Sequence, residues 1–437
     1  MSQNQLQVLH AEAFQGLKFG QSGILDMSQN KLQDLPPKVF DSLELDRLNL
    51  QNINLIQLHA GTFQGLTFGR YCSRCILDMS QNKLQELPPK VFYKFRFTML
   101  GYLRSLRLEG NQLRSLGDRP FYGLDYLEEL NLQQNQLTDL DEDVFGDDFL
   151  KRSLLDLKLG GNRLTTLPGG LFNGFTNLRK LQLQSNQLVR LPQQLFQTLS
   201  SLEFLNLSHN ELVTLSSDVF YGLSSLRSLR LEGNRLRSLA TRPFYWLYRL
   251  EELHLAQNQL TDLDEDVFDG YDRYDYDDSH QCSSHRRRSS HRRRSSRRRR
   301  SSLRRVRRSS LKRSLLELNL GGNRLTALHD GLFKGFRSLR TLQLQSNQLA
   351  RLPKQLFQNL SSLNFLNLSQ NALEELPPSL FDGLNLSVID LSHNKLRTLN
   401  ATQFDLESLT TLDLRGNRLT DATRRDLARL KVELYVD

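Results

Sequence analysis

The sequence predicts an α/β solenoid of about 16 repeats, with a parallel β-sheet on its concave face and loops or short 3-10 turns on its convex face. Three observations predict it. A pattern LxxLxLxxNxLxxLxxxxFxxLxx recurs along the 437 residues, most often every 24 positions. An asparagine holds one fixed slot, at Asn4, Asn30, nine further places between Asn82 and Asn323, and on to Asn347, Asn371, Asn394 and Asn417, with Ile53 filling the slot once. Ten places after each slot stands a phenylalanine, from Phe14 to Phe404, in every copy but the last, which has Leu427.

Each part of the unit has a physical reason. The LxL alternation is a short strand whose leucines point to one face and whose variable residues point to the other. One unit cannot bury its leucines alone, so units stack and their strands form a parallel sheet. Behind each strand the chain turns sharply, and the slot asparagine can satisfy the turn's backbone groups with its amide. Stacked asparagines then form a ladder, interrupted at Ile53. The phenylalanines pile into a spine that fills the convex side of the core. A helical reading fails because LxLxxN carries no sustained 3.6-residue period.

This unit resembles the 24-residue "typical" leucine-rich repeat, the form common in extracellular receptors such as Toll-like receptor ectodomains. The resemblance covers nearly all of the chain outside 271–314. It implies a horseshoe-shaped solenoid and a non-catalytic binding role on the concave face. It also implies cysteine-rich caps at the ends, and these are missing here.

Larger duplications lie on top of the unit. ILDMSQNKLQDLPPKVF at Ile24–Phe40 recurs nearly unchanged at Ile76–Phe92, and Leu103–Leu215 is echoed by Leu226–Leu376. Duplication within the gene and a faulty gene model both explain this. The second long copy carries an insertion from about Tyr271 to Ser310, acidic and tyrosine-rich at first (YDRYDYDD), then SSHRRRSSHRRRSSRRRRSS. Nothing in it can form a core, so a disordered loop is expected. The organisation is therefore a first solenoid part over 1–270, an insertion over 271–314, and a second solenoid part over 315–437 with a helical cap. In that cap, Thr420 and Asp421 start a helix whose Leu427 and Leu430 face the last repeat while Arg424, Arg425 and Arg429 face water. A strand over Val432–Val436 follows. The amino terminus opens inside a repeat with neither cap nor signal peptide, which reads as truncation.

The net charge of +10 belongs to one segment. Between Arg286 and Arg313 lie fifteen arginines and one lysine, with no acid; without those sixteen, 42 basic residues face 48 acidic ones. The repeats are mildly acidic, so the overall basicity is no argument for nucleic-acid binding. The arginine–serine tract itself resembles the arginine–serine domains of splicing factors. It could bind RNA, be phosphorylated, or be cut at a run such as Arg297–Arg300; a functionless low-complexity expansion is the plainer reading. Tyr271, Tyr274 and Tyr276 among aspartates would suit sulfation in a secreted protein.

The outward strand positions are the candidate ligand-binding residues: Arg107, Asn131, Lys158, Gln182, Phe204, Asn206, Arg230, His254, Asn319, Gln343, Phe365 and Asn367. Their mixed, hydrogen-bonding character suits a protein or glycan better than a lipid, with Phe204 and Phe365 as aromatic anchors. Glycan-acceptor motifs stand at Asn206, Asn359, Asn367, Asn385 and Asn400. Cys72 and Cys75 lie in a three-residue insertion (GRYCSRC against GQSG), read as a surface loop with free or locally paired thiols. Three cysteines in all make no disulfide framework. The nine histidines are scattered, and there is no phosphate loop, nucleophile elbow or metal-spaced cluster, so no enzyme, cofactor or metal is expected. No apolar run is long enough to span a bilayer. The expectation is a receptor-ectodomain-like protein or a fragment of one, extracellular or at the cell surface. An intracellular scaffold is the alternative, and an RNA-associated protein the lesser one. Ligand identity and oligomeric state are not legible.

Overall fold

Leucines at alternate positions favour short extended segments, because only a pleated strand sends every second side chain to the same side. The computed structural model of the chain describes residues 1–19, 23–70, 72–89, 91–92, 99–269, 311–404 and 407–437. The expectations for 271–310, including the tyrosine–aspartate stretch, Cys282 and the arginine–serine tract, lie outside these residues.

The described residues fall into two compact units, Met1–Leu215 with Val219–Arg235, and Ser216–Asp218 with Leu236–Asp437. Each is a parallel-strand solenoid. The first unit carries, in order along its main sheet, β1 (Ile24–Asp26), β3 (Arg47–Asn49), β5 (Ile76–Asp78), β6 (Ser105–Arg107), β7 (Glu129–Asn131), β8 (Asp156–Lys158), β9 (Lys180–Gln182), β10 (Phe204–Asn206) and β11 (Ser228–Arg230). The second carries β12 (Glu252–His254), β13 (Glu317–Asn319), β14 (Thr341–Gln343), β15 (Phe365–Asn367), β16 (Val388–Asp390), β17 (Thr411–Asp413) and β18 (Glu433–Tyr435). Pairing is in register, leucine beside leucine, as in Leu181–Leu205–Leu229 and Leu318–Leu342–Leu366. These central leucines are fully buried. Although 63 or more positions separate them in the chain, β12 and β13 pair directly, Glu252 beside Glu317. The long insertion therefore leaves the sheet unbroken.

The asparagine ladder forms as the turn chemistry requires. In a regular rung, Asn186 Nδ2 donates to the carbonyls of Leu159 (3.0 Å) and Leu183 (3.1 Å), while its Oδ1 accepts from Leu164 N–H at 3.1 Å. Where Ile53 replaces asparagine, Asn82 serves the neighbouring turn more fully: its Oδ1 accepts from both Ile53 and Leu55 N–H, each at 3.0 Å. The residue just before the slot takes a left-handed backbone. It is glycine at Gly110, Gly161, Gly233, Gly322 and Gly416, but Gln81, Ser185 and His209 adopt the same conformation with φ of 52–57°. That recurring requirement explains the alternation of GN with QN, SN and HN pairs along the sequence.

The phenylalanine spine is present with a break that the pattern did not foretell. Rings stack at 5.7–6.4 Å from Phe14 through Phe40, Phe63, Phe92 and Phe121 to Phe145, and again from Phe172 through Phe196 to Phe220. Between Phe145 and Phe172 a further ring, Phe175, stands edge-on to both. The second unit repeats this with Phe336 between Phe268 and Phe333. In both places the preceding repeat is longer and carries a turn of helix, α1 (Asp148–Ser153) or α2 (Leu311–Ser314). The wider gap accepts a second ring where most other repeats have leucine.

Helix α2 corrects the insertion's far boundary. Composition places residues 311–314 in the disordered insertion, yet Leu311 is fully buried, as is Leu150 of α1 in the short copy. The aligned sequences LKRSLLEL and LKRSLLDL fold alike because each buries that first leucine. Elsewhere among the described residues the convex side is turns with two 3-10 segments, Met99–Tyr102 and Ala401–Phe404. A two-stranded pairing of β2 (Glu44–Leu45) with β4 (Thr67–Phe68) was not anticipated.

At the carboxy-terminal end, α3 (Asp421–Leu427) is N-capped by Thr420, whose hydroxyl accepts from Thr423 N–H at 3.3 Å. Thr423 and Leu427 are buried. Leu430 is only half-buried, because the helix stops at Leu427, and Arg424 is half-exposed with its Nε donating to the Leu419 carbonyl. The final strand is Glu433–Tyr435, shorter than expected. Among the described residues no helix is long and apolar enough to cross a membrane.

Candidate ligand-binding face

Parallel strands about 4.8 Å apart bring equivalent outward side chains of successive repeats within reach of each other. In the first unit this produces a chain of paired charges. Arg107 on β6 faces Asp78 on β5 at 3.6 Å. Lys158 on β8 binds Glu129 on β7 and lies 3.6 Å from Asp156 on its own strand. Ser105 Oγ donates to Glu129 Oε2 at 3.0 Å, and Gln182 Nε2 reaches Asp156 Oδ1 at 3.5 Å.

These groups are partly shielded from water, and their ionisation reflects it. Burial works against the Glu129 carboxylate, but hydrogen bonds from Lys158 and Ser105 outweigh it and hold its pKa below the ordinary value. Lys158 is likewise penalised by burial, yet its two carboxylate partners raise its pKa. Burial and the neighbouring Glu129 charge push Asp156 upward despite Lys158. Glu109, shielded and close to Asp78, is pushed up as well, and its Oε2 has no hydrogen-bond partner.

The twelve predicted residues divide into two groups. Asn131, Asn206, Asn319 and Asn367 also hold turns. Each turns its Oδ1 to the N–H two residues on, at 2.9–3.1 Å, and Asn206 and Asn367 also accept from the hydroxyls of Ser208 and Ser369 at 2.7 Å. Asn131 and Asn206 are buried. Strand geometry alone sends these amides outward; the tight turn that follows recruits them. Arg107, Lys158, Gln182, Phe204, Arg230, His254, Gln343 and Phe365 are half-exposed on the strand faces. The Arg230 guanidinium lies over the Phe204 ring, 5.5 Å from its centre. Gln343 donates to Glu317 Oε1 at 3.3 Å.

One row was missed. Glu109, Gln184, Glu232 and Gln345, three positions beyond each strand's central leucine on that strand's exit, each bury a side-chain oxygen that lacks a partner, as does Arg230 with its Nε. The signal was present as a recurring Glu or Gln at one repeat position. Among the glycan-acceptor motifs, Asn359, Asn385 and Asn400 are exposed on loops, whereas Asn206 and Asn367 are committed to their turns.

A second cluster was also missed. Asp46, Cys72 and Cys75 bring a carboxylate oxygen and two sulfurs within 4.8 Å of one another. Spacing along the chain does not reveal this cluster, because Asp46 precedes Cys72 by a whole repeat.

Comparison with known proteins agrees with this geometry. The family model described as Leucine rich repeat matches residues 101–148, 176–236, 225–273, 313–373 and 366–419, more than half of the chain. Over 84 residues the sequence is 34% identical to the follicle-stimulating hormone receptor of Notamacropus eugenii, a match spanning 19% of this chain and only 11% of that receptor. The structure resembles a leucine-rich-repeat protein of Leptospira interrogans, with a TM-score of 0.69, 25% identity and full coverage of both chains. It also resembles a chain of the glycosylated Toll–Spätzle complex of Drosophila, with a TM-score of 0.70 and 22% identity over 98% of this chain and 52% of that one.

Proposed function

Because the chain belongs to the leucine-rich-repeat family, we propose that it is a non-catalytic recognition protein of the receptor-ectodomain kind, binding a protein or glycan on its strand faces. The observation that carries this reading is the Phe204–Arg230 pair. An aromatic ring and a guanidinium stand together on adjacent strands, half-exposed, with the Arg230 Nε and the nearby Glu232 Oε2 unpartnered. Aromatic and arginine side chains dominate binding energy at interfaces, and unmet hydrogen-bonding capacity favours a polar partner or ordered water. The charges on β5–β8 of the same unit are already held by their neighbours, so ordering them on binding costs little. The exposed acceptor motifs at Asn359, Asn385 and Asn400 suit an extracellular or cell-surface location.

The test is a binding screen of the multimerised chain against the secreted and cell-surface proteins of its own organism. A specific partner should bind, and Phe204→Ala or Arg230→Glu should weaken it by about tenfold or more, the ~1.4 kcal/mol or greater loss of a hot-spot residue. Tyr221→Ala, on an exposed residue off the strands, should leave binding unchanged. A partner that ignores both strand-face changes and is lost with Tyr221→Ala would remove the proposed face from consideration.

A further inference from the structure

The loop before β5 differs from its duplicate by three residues, and the difference is what introduces both cysteines: FGRYCSRCILDM against FGQSGILDM. The rest of the duplicated segment is nearly unchanged, so the extra residues have no evident role in building the repeat. They bring Cys72 and Cys75 to the side chain of Asp46, which hangs from the preceding repeat at the end of β2. The three ligand atoms lie within 4.8 Å of one another.

The backbone holds the ligands from both sides. Asp46 N–H donates to the Gly23 carbonyl at 2.7 Å, and the Asp46 carbonyl accepts from Ile76 N–H at 3.0 Å. The Cys75 carbonyl accepts from Arg104 and Ser105 N–H, both at 3.0 Å. Cys72 sits on a turn closed by its own N–H to the Gly69 carbonyl at 3.0 Å, and Gly69 N–H binds the Leu45 carbonyl at 3.2 Å. Gly69 is where the carboxylate passes: a Cβ there would meet Asp46 Oδ1 at 2.9 Å. Cys75 is fully buried, whereas Asp46 and Cys72 are half-exposed, so the cluster opens to water on one side.

We propose that Cys72, Cys75 and Asp46 form a binding site for a zinc-type divalent cation, with two thiolates and one carboxylate as ligands and the fourth position open to water. Thiolate sulfur lies about 2.3 Å and carboxylate oxygen about 2.0–2.2 Å from such an ion. Tetrahedral ligands at those lengths are roughly 3.5 Å apart, so side-chain rotation of an ångström or less closes the site. Two thiol protons leave to solvent as the metal enters, and no oxidant is needed. The cation ties one repeat to the next at a point where the Asn ladder is interrupted by Ile53.

The experiment uses the full chain carrying Cys282→Ser, reduced and kept free of oxygen, titrated with cobalt(II) alone. The expected result is one cobalt per chain, a near-ultraviolet thiolate-to-cobalt charge-transfer band, and its displacement by zinc(II). Cys72→Ser abolishes the band. Asp46→Asn keeps both thiols and weakens cobalt binding by about tenfold or more, since even groups that only orient a ligand contribute that much. Both substitutions fall on half-exposed positions, and unchanged circular dichroism verifies the fold. Absence of the band in the parent chain overturns the site. So does a band of equal affinity in Asp46→Asn, which would leave a simple dithiol in place of a three-ligand centre.

Discussion

At the scale of single residues, the deciding facts concern groups that the solenoid half-buries. Lys158 and Glu129 are 19% and 26% exposed at their side chains, so their ion pair is shielded enough to matter. Glu129 has a lowered pKa, so its ionised form stabilises the fold above the ordinary carboxylate pKa of about 4.3, and this contribution is lost as pH falls through the lower folded value. Lys158 has a raised pKa, so its contribution holds below about 10.4 and is lost only as pH rises beyond that. Asp156 has the opposite sign to Glu129, its raised pKa meaning that ionisation there costs stability. Lys158→Met should therefore destabilise the first unit by about 1–3 kcal/mol at pH 7, the usual range for a buried charged group left without its partner. The difference from the parent chain should shrink as pH falls below the ordinary carboxylate value of about 4.3 and on through the lower folded pKa of Glu129. Denaturant melts at pH 7 and pH 3.5 check this; an equal loss at both would show that the pair is not responsible. The slot asparagines belong to the same scale. Their type and spacing announced turns, but that Asn82 would serve two N–H groups followed only from Ile53 standing beside it.

At the scale of elements, each repeat is one strand and one convex return, and length matters as much as composition. Where the return gains a turn of helix, the spine opens and Phe175 or Phe336 fills it. Phe175→Ala should cost about 3–5 kcal/mol, the range for emptying a buried phenylalanine site. Phe175→Leu, the residue of the regular repeats, should cost less but still destabilise, because the gap is wider here than there. Thermal or chemical denaturation of both variants settles the order; equal stability of the leucine variant and the parent would mean the gap closes by itself. The strands were legible because period-two leucines admit no other reading. The wedge was not, since Phe175 differs from its leucine counterparts only in size, and its use depends on spacing in a neighbouring element.

At the scale of the whole molecule, the two long copies constitute a natural comparison. The short copy passes from Phe145 to Leu150 through Asp147, which accepts from Phe149 N–H at 2.8 Å and Gly123 N–H at 3.0 Å. The long copy reaches the same buried leucine, Leu311, after the insertion, and Lys312 pairs with Asp269 at 2.5 Å across its root. Replacing residues 270–310 with the short copy's Asp147–Phe149 should leave circular dichroism unchanged and shift the melting temperature by no more than about 4 °C, since ~1 kcal/mol corresponds to a few degrees in a domain of this size. A loss of cooperative melting would show that the insertion supports the repeats. Repeat proteins draw stability from adjacent-unit contacts, and those contacts are the same in both copies.

From its sequence alone, this chain's fold class, the asparagine turns, the aromatic spine and the place of the variable face were already determined. Each depends on residues that meet their own repeat image one unit away, and a periodic chain specifies such contacts by periodicity. Only the tertiary structure decided which outward side chains are free. It turned Asn131, Asn206, Asn319 and Asn367 back into their turns, paired Lys158 with Glu129, and set Arg230 over Phe204. It also carried Asp46 across a full repeat to Cys72 and Cys75. Those outcomes depend on side-chain reach, shielding and charge between non-identical neighbours, which a repeating pattern does not encode.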